Sequence, residues 1–543
     1  MTGNKLYYGD NLEVLRGSIK DESVDLVYLD PPFNSARNYN VIFSRNASAK
    51  GSTADASAQI EAFEDTWTWT PETERQFDEY VNGGLPSKVA DVLSAMRMLL
   101  GENDASAYLI NMAPRLVELH RVLKPTGSFY LHCDPTMSHY LKVLLDGIFD
   151  ARNFKNEISW KRTSAHSASK KYGPIHDTIL FYTKSPQFTW NDPRTDYDEA
   201  YLEKYYRYDD GDGRLYWRNS LTAAGTRNGS SGQPWRGYDV AASGQHWKFA
   251  VENLEALDAA GKIYWPPKGG MPQIKRYKDE LKGVAVGDIW TDIDRINQVA
   301  AERLGYPTQK PLALMNRIIA ASSNPGDVVL DPFCGCGTTV DAAQQLERSW
   351  IGIDITYIAV DLIEKRLLNT YGPSITSEYV VSGIPHDKQA AFALFKKNPF
   401  DFERWAVSMV GAQPNAKQVG DKGIDGIAKF PLGGKGAVGR VIVSVKGGKN
   451  LNPAMVRDLL GTVQTQKAEM GVLIVMGDVT KGLVDAVNHA GNYKHPANGD
   501  VFPKLQIITV PQLLNGTRPK MPPTYTPYIL AQKTIVDTSS ALF

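Results

Sequence analysis

Two acidic segments, far apart in the chain, carry residues that could do chemistry together. The first, Val24-Asp25-Leu26-Val27-Tyr28-Leu29-Asp30-Pro31-Pro32-Phe33, is a strand-forming run that ends in an acid, two prolines and an aromatic ring. The prolines fix the backbone and remove two amide donors, which leaves the Pro31 carbonyl open as an acceptor. The Asp30 carboxylate and that carbonyl could take both hydrogens of an amino group. The nitrogen lone pair would then face an electrophilic methyl group, and Phe33 offers a ring on which a base swung out of a duplex can stack. The second segment is Val328-Val329-Leu330-Asp331-Pro332-Phe333-Cys334-Gly335-Cys336-Gly337-Thr338-Thr339. It follows a strand and opens a helix, and Gly335 and Gly337 let the backbone approach a ligand without a Cβ clash. One strand further on, Trp350-Ile351-Gly352-Ile353-Asp354 ends in an acid at the distance expected of a carboxylate that holds ribose hydroxyls. A dinucleotide site would want a third glycine and a pyrophosphate cradle. An acid at the strand end disfavours phosphate and favours the cationic amino-acid moiety of S-adenosylmethionine.

The elements that must position these residues alternate between strand and helix. Strands are predicted at Lys5–Tyr8, Val24–Leu29, Ser128–His132, Thr178–Tyr182, Val328–Leu330 and Trp350–Ile353. Helices are predicted at Leu12–Ile19, Ala107–Leu123, Met137–Phe149, Pro311–Ser322, Thr338–Leu346 and Ile358–Leu368, with Lys124-Pro125-Thr126-Gly127 as a stop signal. The alternation predicts an α/β fold with a doubly wound, mostly parallel sheet. Residues 45–105, with the aromatic knot Trp67-Thr68-Trp69, read as an insertion, and 184–300 are irregular and rich in Tyr, Trp, Gly, Arg and Lys. A second, smaller α/β unit follows. The boundaries are 1–183, 184–300, 301–372, 385–516 and an extended tail at 517–543.

A chain of 543 residues with 42% hydrophobic and 22% charged residues is globular and built from two or three domains. The 60 basic and 60 acidic residues balance, so a nucleic-acid partner would rest on local patches. Two basic stretches exist. One spans 155–171 (Lys155, Lys161, Arg162, Lys170, Lys171). The other spans 417–449 (Lys417, Lys422, Lys429, Lys435, Arg440, Lys446, Lys449). No apolar run is long enough to span a membrane, and the start lacks a signal-peptide core. Cys133, Cys334 and Cys336 are too few for a disulfide framework, which fits a reducing cytoplasm.

With both motifs in place, residues 1–370 resemble the amino-methyltransferases of bacterial restriction–modification systems, in the β group, where the catalytic motif precedes the cofactor motif. Tyr8-Gly9-Asp10-Asn11-Leu12, Leu119–Leu131, His176–Tyr182 and Tyr306-Pro307-Thr308-Gln309-Lys310-Pro311 are similar to further family segments in the same order. The resemblance implies a seven-stranded-type, Rossmann-like methyltransferase sheet and a bacterial or phage-encoded cytoplasmic protein. It implies catalysis by Asp30, Pro31, Pro32 and Phe33. S-adenosylmethionine would be held by Asp10, Thr308, Gln309, Lys310, Asp331, Phe333, Gly335, Gly337, Thr338 and Asp354. Double-stranded DNA is the implied substrate, and a homodimer and a partner restriction endonuclease are left open. Asp at the head of the catalytic motif goes with adenine N6, with cytosine N4 as the alternative. Region 184–300 corresponds to target recognition, where Trp217, Arg227, Trp235, Arg236, Trp247, Lys275, Arg276 and Lys278 suit DNA contacts, although most of the tryptophans are expected to pack the region's own core.

The C-terminal unit resembles the restriction endonuclease-like fold of the Mrr kind. Asp425 at one strand end and Lys446 on the next strand, with Glu403 from a helix, could hold Mg²⁺, with Asp425 as its ligand. Ser444 stands where that family has Glu or Gln and supplies weaker ligation. An active, Mg²⁺-dependent nuclease, a DNA-binding or regulatory module and an unrelated fold all stay open.

Overall fold

The computed structural model describes residues 3–32, 38–42, 59–64, 67–164, 172–297, 300, 302–304, 308–414, 423–433, 438–448 and 451–524. Phe33, Lys170, Lys171, Lys417, Lys422, Lys435, Lys449, the segments 43–58 and 305–307 and the tail from 525 lie outside them.

Nine strands form the main sheet: β1 Asn4–Tyr8, β2 Val24–Leu29, β3 Leu123–Cys133, β4 Phe154–Lys161, β5 His176–Thr183, β6 Ile289–Trp290, β7 Val328–Asp331, β8 Ser349–Asp354 and β9 Tyr379–Ser382. Their spatial order is β6-β4-β5-β3-β2-β7-β8-β1-β9. Every neighbouring pair is parallel except the two made by β5, which runs antiparallel to β3 and β4. The expected mostly parallel, doubly wound sheet is therefore present, with β6 and β9 at its two edges. Strand β2 explains why the sequence folds this way. Val24, Leu26, Val27 and Leu29 are all fully buried, as strands covered on both faces require. Each contributes about 1.5–3 kcal/mol of transfer free energy. Its one acid, Asp25, is used structurally: it pairs with Lys124 on β3 and accepts from the Val328 amide on β7.

The chain order hides the essential adjacency. Strands β2 and β7 are neighbours, with Val329 opposite Leu26 and Leu330 opposite Val27. The ends of β2, β7, β8 and β1 consequently bring Asp30, Asp331, Asp354 and Gly9-Asp10 to one sheet edge, where ligands bind in open α/β folds.

One expectation needs correction. The Lys124-Pro125-Thr126-Gly127 stop does not precede the strand. It is extruded within β3, where the pairing jumps from Leu123 opposite Val24 to Ser128 opposite Leu26. A Cβ on Gly127 would stand 2.6 Å from Leu123, so the extruded turn needs glycine. After helix α1 Asn11–Ser18, residues 71–100, within the stretch read as an insertion, form helices α2 Pro71–Glu79 and α3 Ser87–Leu100. Their apolar faces (Phe77, Val89, Leu93, Met96) join the same core as α4 Asp104–Val122 and α5 Ser138–Phe149.

Residues Asp192–Gly287 form a separate compact unit. Its core is Leu221, Trp235, Val240, Trp247, Leu254, Ile263 and Ile274. Trp235 and Trp247 thus pack inward, and Arg236 and Lys275 are spent on Glu255 and Asp210. Arg227, Arg276 and Lys278 are exposed.

The C-terminal part is a five-stranded sheet ordered β10 Gln413–Pro414, β11 Gly426–Pro431, β12 Val438–Lys446, β13 Met470–Val475 and β14 Leu505–Thr509. Alternation along β12 sends Val441, Val443 and Val445 to one core and Ile442 to the other.

Candidate active site

A cavity of ≈ 280 Å³ opens at the shared strand edge. Of the residues assigned from sequence, Asp10, Asp30, Pro32, Thr308, Gln309, Lys310, Asp331, Phe333, Gly335, Thr338 and Asp354 line it. Pro31 is buried and not part of the lining. Neither is Gly337. It adopts φ 74°, and a Cβ there would meet the Ile363 side chain at 2.6 Å, so its glycine serves a left-handed turn and helix packing rather than ligand approach.

Asp30 sits on the cavity wall with its two oxygens in different states. Oδ2 accepts from the Lys310 ammonium. Oδ1 is buried and has no hydrogen-bond partner among the described residues. An unpaired buried carboxylate oxygen costs free energy, so a donor arriving at this wall meets an acceptor already stripped of water.

Two further carboxylates line the cavity. Asp331 accepts from the Phe333 amide, yet burial pushes it up to about 7, with Asp30 and Asp354 adding to the rise. Asp354 is also raised, by burial. Its Oδ1 accepts from the Thr356 amide and hydroxyl and its Oδ2 from the Gly335 amide, which ties the glycine turn to the end of β8. Buried acids that disfavour one another favour a cationic ligand, and the donor set fits the sulfonium and ammonium of S-adenosylmethionine.

Of the lining residues not assigned a role from the sequence, Arg115, Asn11, Trp67 and Tyr28 shape the site most. Arg115, on α4, donates to Asp10 Oδ2 (2.7 Å) and Asn11 Oδ1 (2.7 Å), and Asn11 donates on to the Pro332 carbonyl (2.9 Å). This chain locks the Asp10 turn onto the loop after β7. Trp67, from the aromatic knot, lines the cavity as well. Tyr28, two residues before Asp30, opens a fully buried polar chain: its hydroxyl lies 2.9 Å from His132 Nδ1, and His132 Nε2 lies 3.2 Å from Asp177 Oδ2. Burial, then Asp30, pushes the Tyr28 hydroxyl well up. The only advance signal was a cation on the buried face of α4 and a histidine inside a core strand.

In the C-terminal sheet, Asp425 Oδ2 accepts from the Val445 amide (2.6 Å) and the Ser444 hydroxyl (3.2 Å), with Lys446 at 3.8 Å. Glu403 lies on helix Pro399–Met409. Among the described residues, no group of three or more His, Cys, Asp or Glu side chains is arranged to hold a metal, and no helix is long and apolar enough to cross a membrane.

Residues 24–365 match the model of the N6/N4 methyltransferase family of DNA methylases. The chain belongs to this family. Residues 401–515 match the NACHT-associated inactive Restriction Endonuclease 1 family, which gives no support to the Mg²⁺-dependent nuclease reading. The chain is similar to the type II methyltransferase M.EcaI of Enterobacter cloacae, 35% identical over 290 residues, covering 53% of this chain and 63% of that one. It is 26% identical over 366 residues to the Mod subunit of the type III restriction-modification enzyme StyLTI of Salmonella typhimurium, covering 64% and 50%. It is 25% identical over 361 residues to the DNA adenine methyltransferase YhdJ of Escherichia coli, covering 66% and 81%. The chain therefore spans between half and two thirds of the length of the first two relatives.

Proposed function

We propose that this DNA methylase transfers a methyl group from S-adenosylmethionine to the exocyclic N6 amine of an adenine swung out of double-stranded DNA, within a restriction–modification system. The observation that carries the reading is the bare, buried Oδ1 of Asp30 on the wall of a cavity otherwise rich in carboxylates. Bound S-adenosylmethionine supplies an already activated methyl group, so no metal is needed. Asp331 and Asp354 hold its cationic and ribose parts, and the Arg115–Asn11–Pro332 chain keeps the Asp10 turn closed against them. Lys310 fixes the Asp30 carboxylate by Oδ2, and Oδ1 takes a hydrogen of the target amine. As the nitrogen–carbon bond forms, the sulfur–methyl bond would break to leave S-adenosylhomocysteine, the amine loses a proton, and Oδ1 is the acceptor placed to receive it.

Adenine is favoured over cytosine by the aspartate at the head of the catalytic motif and by the adenine specificity in the name of one relative. The type III Mod subunit among the relatives supports a partner endonuclease for this chain too. The test is methylation of plasmid DNA with tritiated S-adenosylmethionine followed by nucleoside analysis. Label in N6-methyladenine that disappears with Asp30→Ala is expected. Label in N4-methylcytosine would replace the adenine reading, and no label in any DNA would sink both.

A further inference from the structure

The C-terminal unit, matched to an inactive endonuclease family, contacts residues adjacent to two cavity-lining segments. Asp354 is held by two short segments. Gly9 donates its amide to the Asp354 carbonyl (2.9 Å), and Thr356 donates twice to the Asp354 carboxylate. Immediately outside each segment stands a tyrosine, Tyr8 and Tyr357, whose rings meet edge to face at 6.2 Å. Both are gripped by helix α7 Pro399–Met409 of the C-terminal unit, which follows α6 Lys388–Lys397. The Tyr8 hydroxyl donates to Asp401, which is itself held by Asn398 (2.6 Å). Tyr357 is hydrogen-bonded to Ser408, and it packs against the C-terminal core cluster that contains Phe402 and Trp405. A third link, Lys397 to Glu13 at 2.9 Å, reaches the helix that Asp10 caps. An exposed ion pair of this kind contributes little. The buried Tyr8–Asp401 contact is the substantive one.

We infer that Asp401 and Ser408 are positioning residues for the methyltransferase: acting through Tyr8 and Tyr357, the nuclease-like unit sets the two backbone segments that hold Asp354, and so sets affinity for S-adenosylmethionine. The inference rests on reading this cavity as the cofactor site. Coupling is reciprocal, so the cofactor in turn steadies α7. The nuclease-like unit thereby acquires a role in the reaction of its neighbour.

The experiment is calorimetric binding of S-adenosylhomocysteine to the full chain, with DNA-methylation kinetics and melting curves alongside. Asp401→Ala is expected to raise Kd and the KM for cofactor about five- to ten-fold while kcat stays within about two-fold. Asp401→Asn keeps an acceptor for the Tyr8 hydroxyl and is expected to return Kd most of the way. Hydrogen exchange across 399–409 should slow when the ligand is added. An unchanged Kd in Asp401→Ala would overturn the inference. So would a loss of kcat and melting temperature that Asn fails to restore. Should Asp401→Ala not fold, Tyr357→Phe, which removes one hydroxyl, decides the matter on the same Kd. Asp354→Ala separates the two readings. If it leaves binding intact, the cavity is not the cofactor site. If it abolishes binding while the Asp401 and Tyr357 variants bind normally, only the positioning role fails.

Discussion

Lys310 engages one oxygen of Asp30, and the other has no hydrogen-bond partner among the described residues. The two residues belong to different motifs, the acid following β2 and the lysine preceding the helix Leu312–Ser322, and the pairing makes the two carboxylate oxygens unequal. Lys310→Met keeps most of the apolar stem and removes the charge. It is expected to lower the single-turnover methylation rate about 10²-fold, the scale of one preorganised electrostatic contact, with DNA binding unchanged. A rate within two-fold of the parent would show that Asp30 needs no such tether.

On the proposed reading of the cavity, Asp331 makes cofactor binding depend on pH. Its carboxyl titrates at about 7 in the ligand-free protein because burial disfavours the charge. A cationic ligand prefers the ionised form, so binding releases a proton. Affinity is then complete above about pH 7 and falls below it, by about ten-fold between pH 8 and pH 6. Stability of the ligand-free chain has the opposite sign. The folded state holds a proton that the unfolded carboxyl has shed, so this acid costs stability as pH rises from about 4 to about 7. Titration calorimetry at pH 6, 7 and 8 checks the first statement, with Asp331→Asn expected to bind more weakly and without the slope.

Much of this site was legible before any coordinates. Hydrophobic runs ending in Asp30, Asp331 and Asp354 announce strands that deliver acids to an edge, because period and burial are written into the residues themselves. What local sequence does not encode is which strands are neighbours, so the abutment of β2 and β7, which unites the motifs, had to come from the fold. Arg115 was hidden because its role depends on which face of α4 meets Asp10. Gly337 was attributed to a ligand because the true reason, Ile363, lies on a later helix. The helices of 71–100 were obscured by the small-residue stretch before them, although Val89, Leu93 and Met96 already carry helical spacing.

The buried chain Tyr28–His132–Asp177 is a unit whose parts cannot be removed independently. His132→Ala takes the ring from between a buried hydroxyl and a buried carboxylate and is expected to destabilise the protein by about 3 kcal/mol. Tyr28→Phe removes only the hydroxyl and is expected to cost about 1 kcal/mol. If the chain is cooperative, the double variant costs less than the sum, and the shortfall in a denaturant double-mutant cycle measures the coupling. Strict additivity would mean that the three groups merely share a core.

Asp425 looks like a nuclease acid in sequence and behaves as a structural one in the fold. Its Oδ2 is committed to the Val445 amide and the Ser444 hydroxyl, and Ser444 brings no charge to a metal. Plasmid incubated with the full chain and Mg²⁺ is therefore expected to remain supercoiled. Asp425→Ala should change stability instead, by about 1–3 kcal/mol, because it strands the Val445 amide inside a strand that is buried on both sides. Mg²⁺-dependent nicks that vanish with Asp425→Ala would reverse this assignment and make the chain bifunctional. A melting shift without nicks would leave the C-terminal sheet as a scaffold, in which the acid that might have bound a metal is used to close a turn.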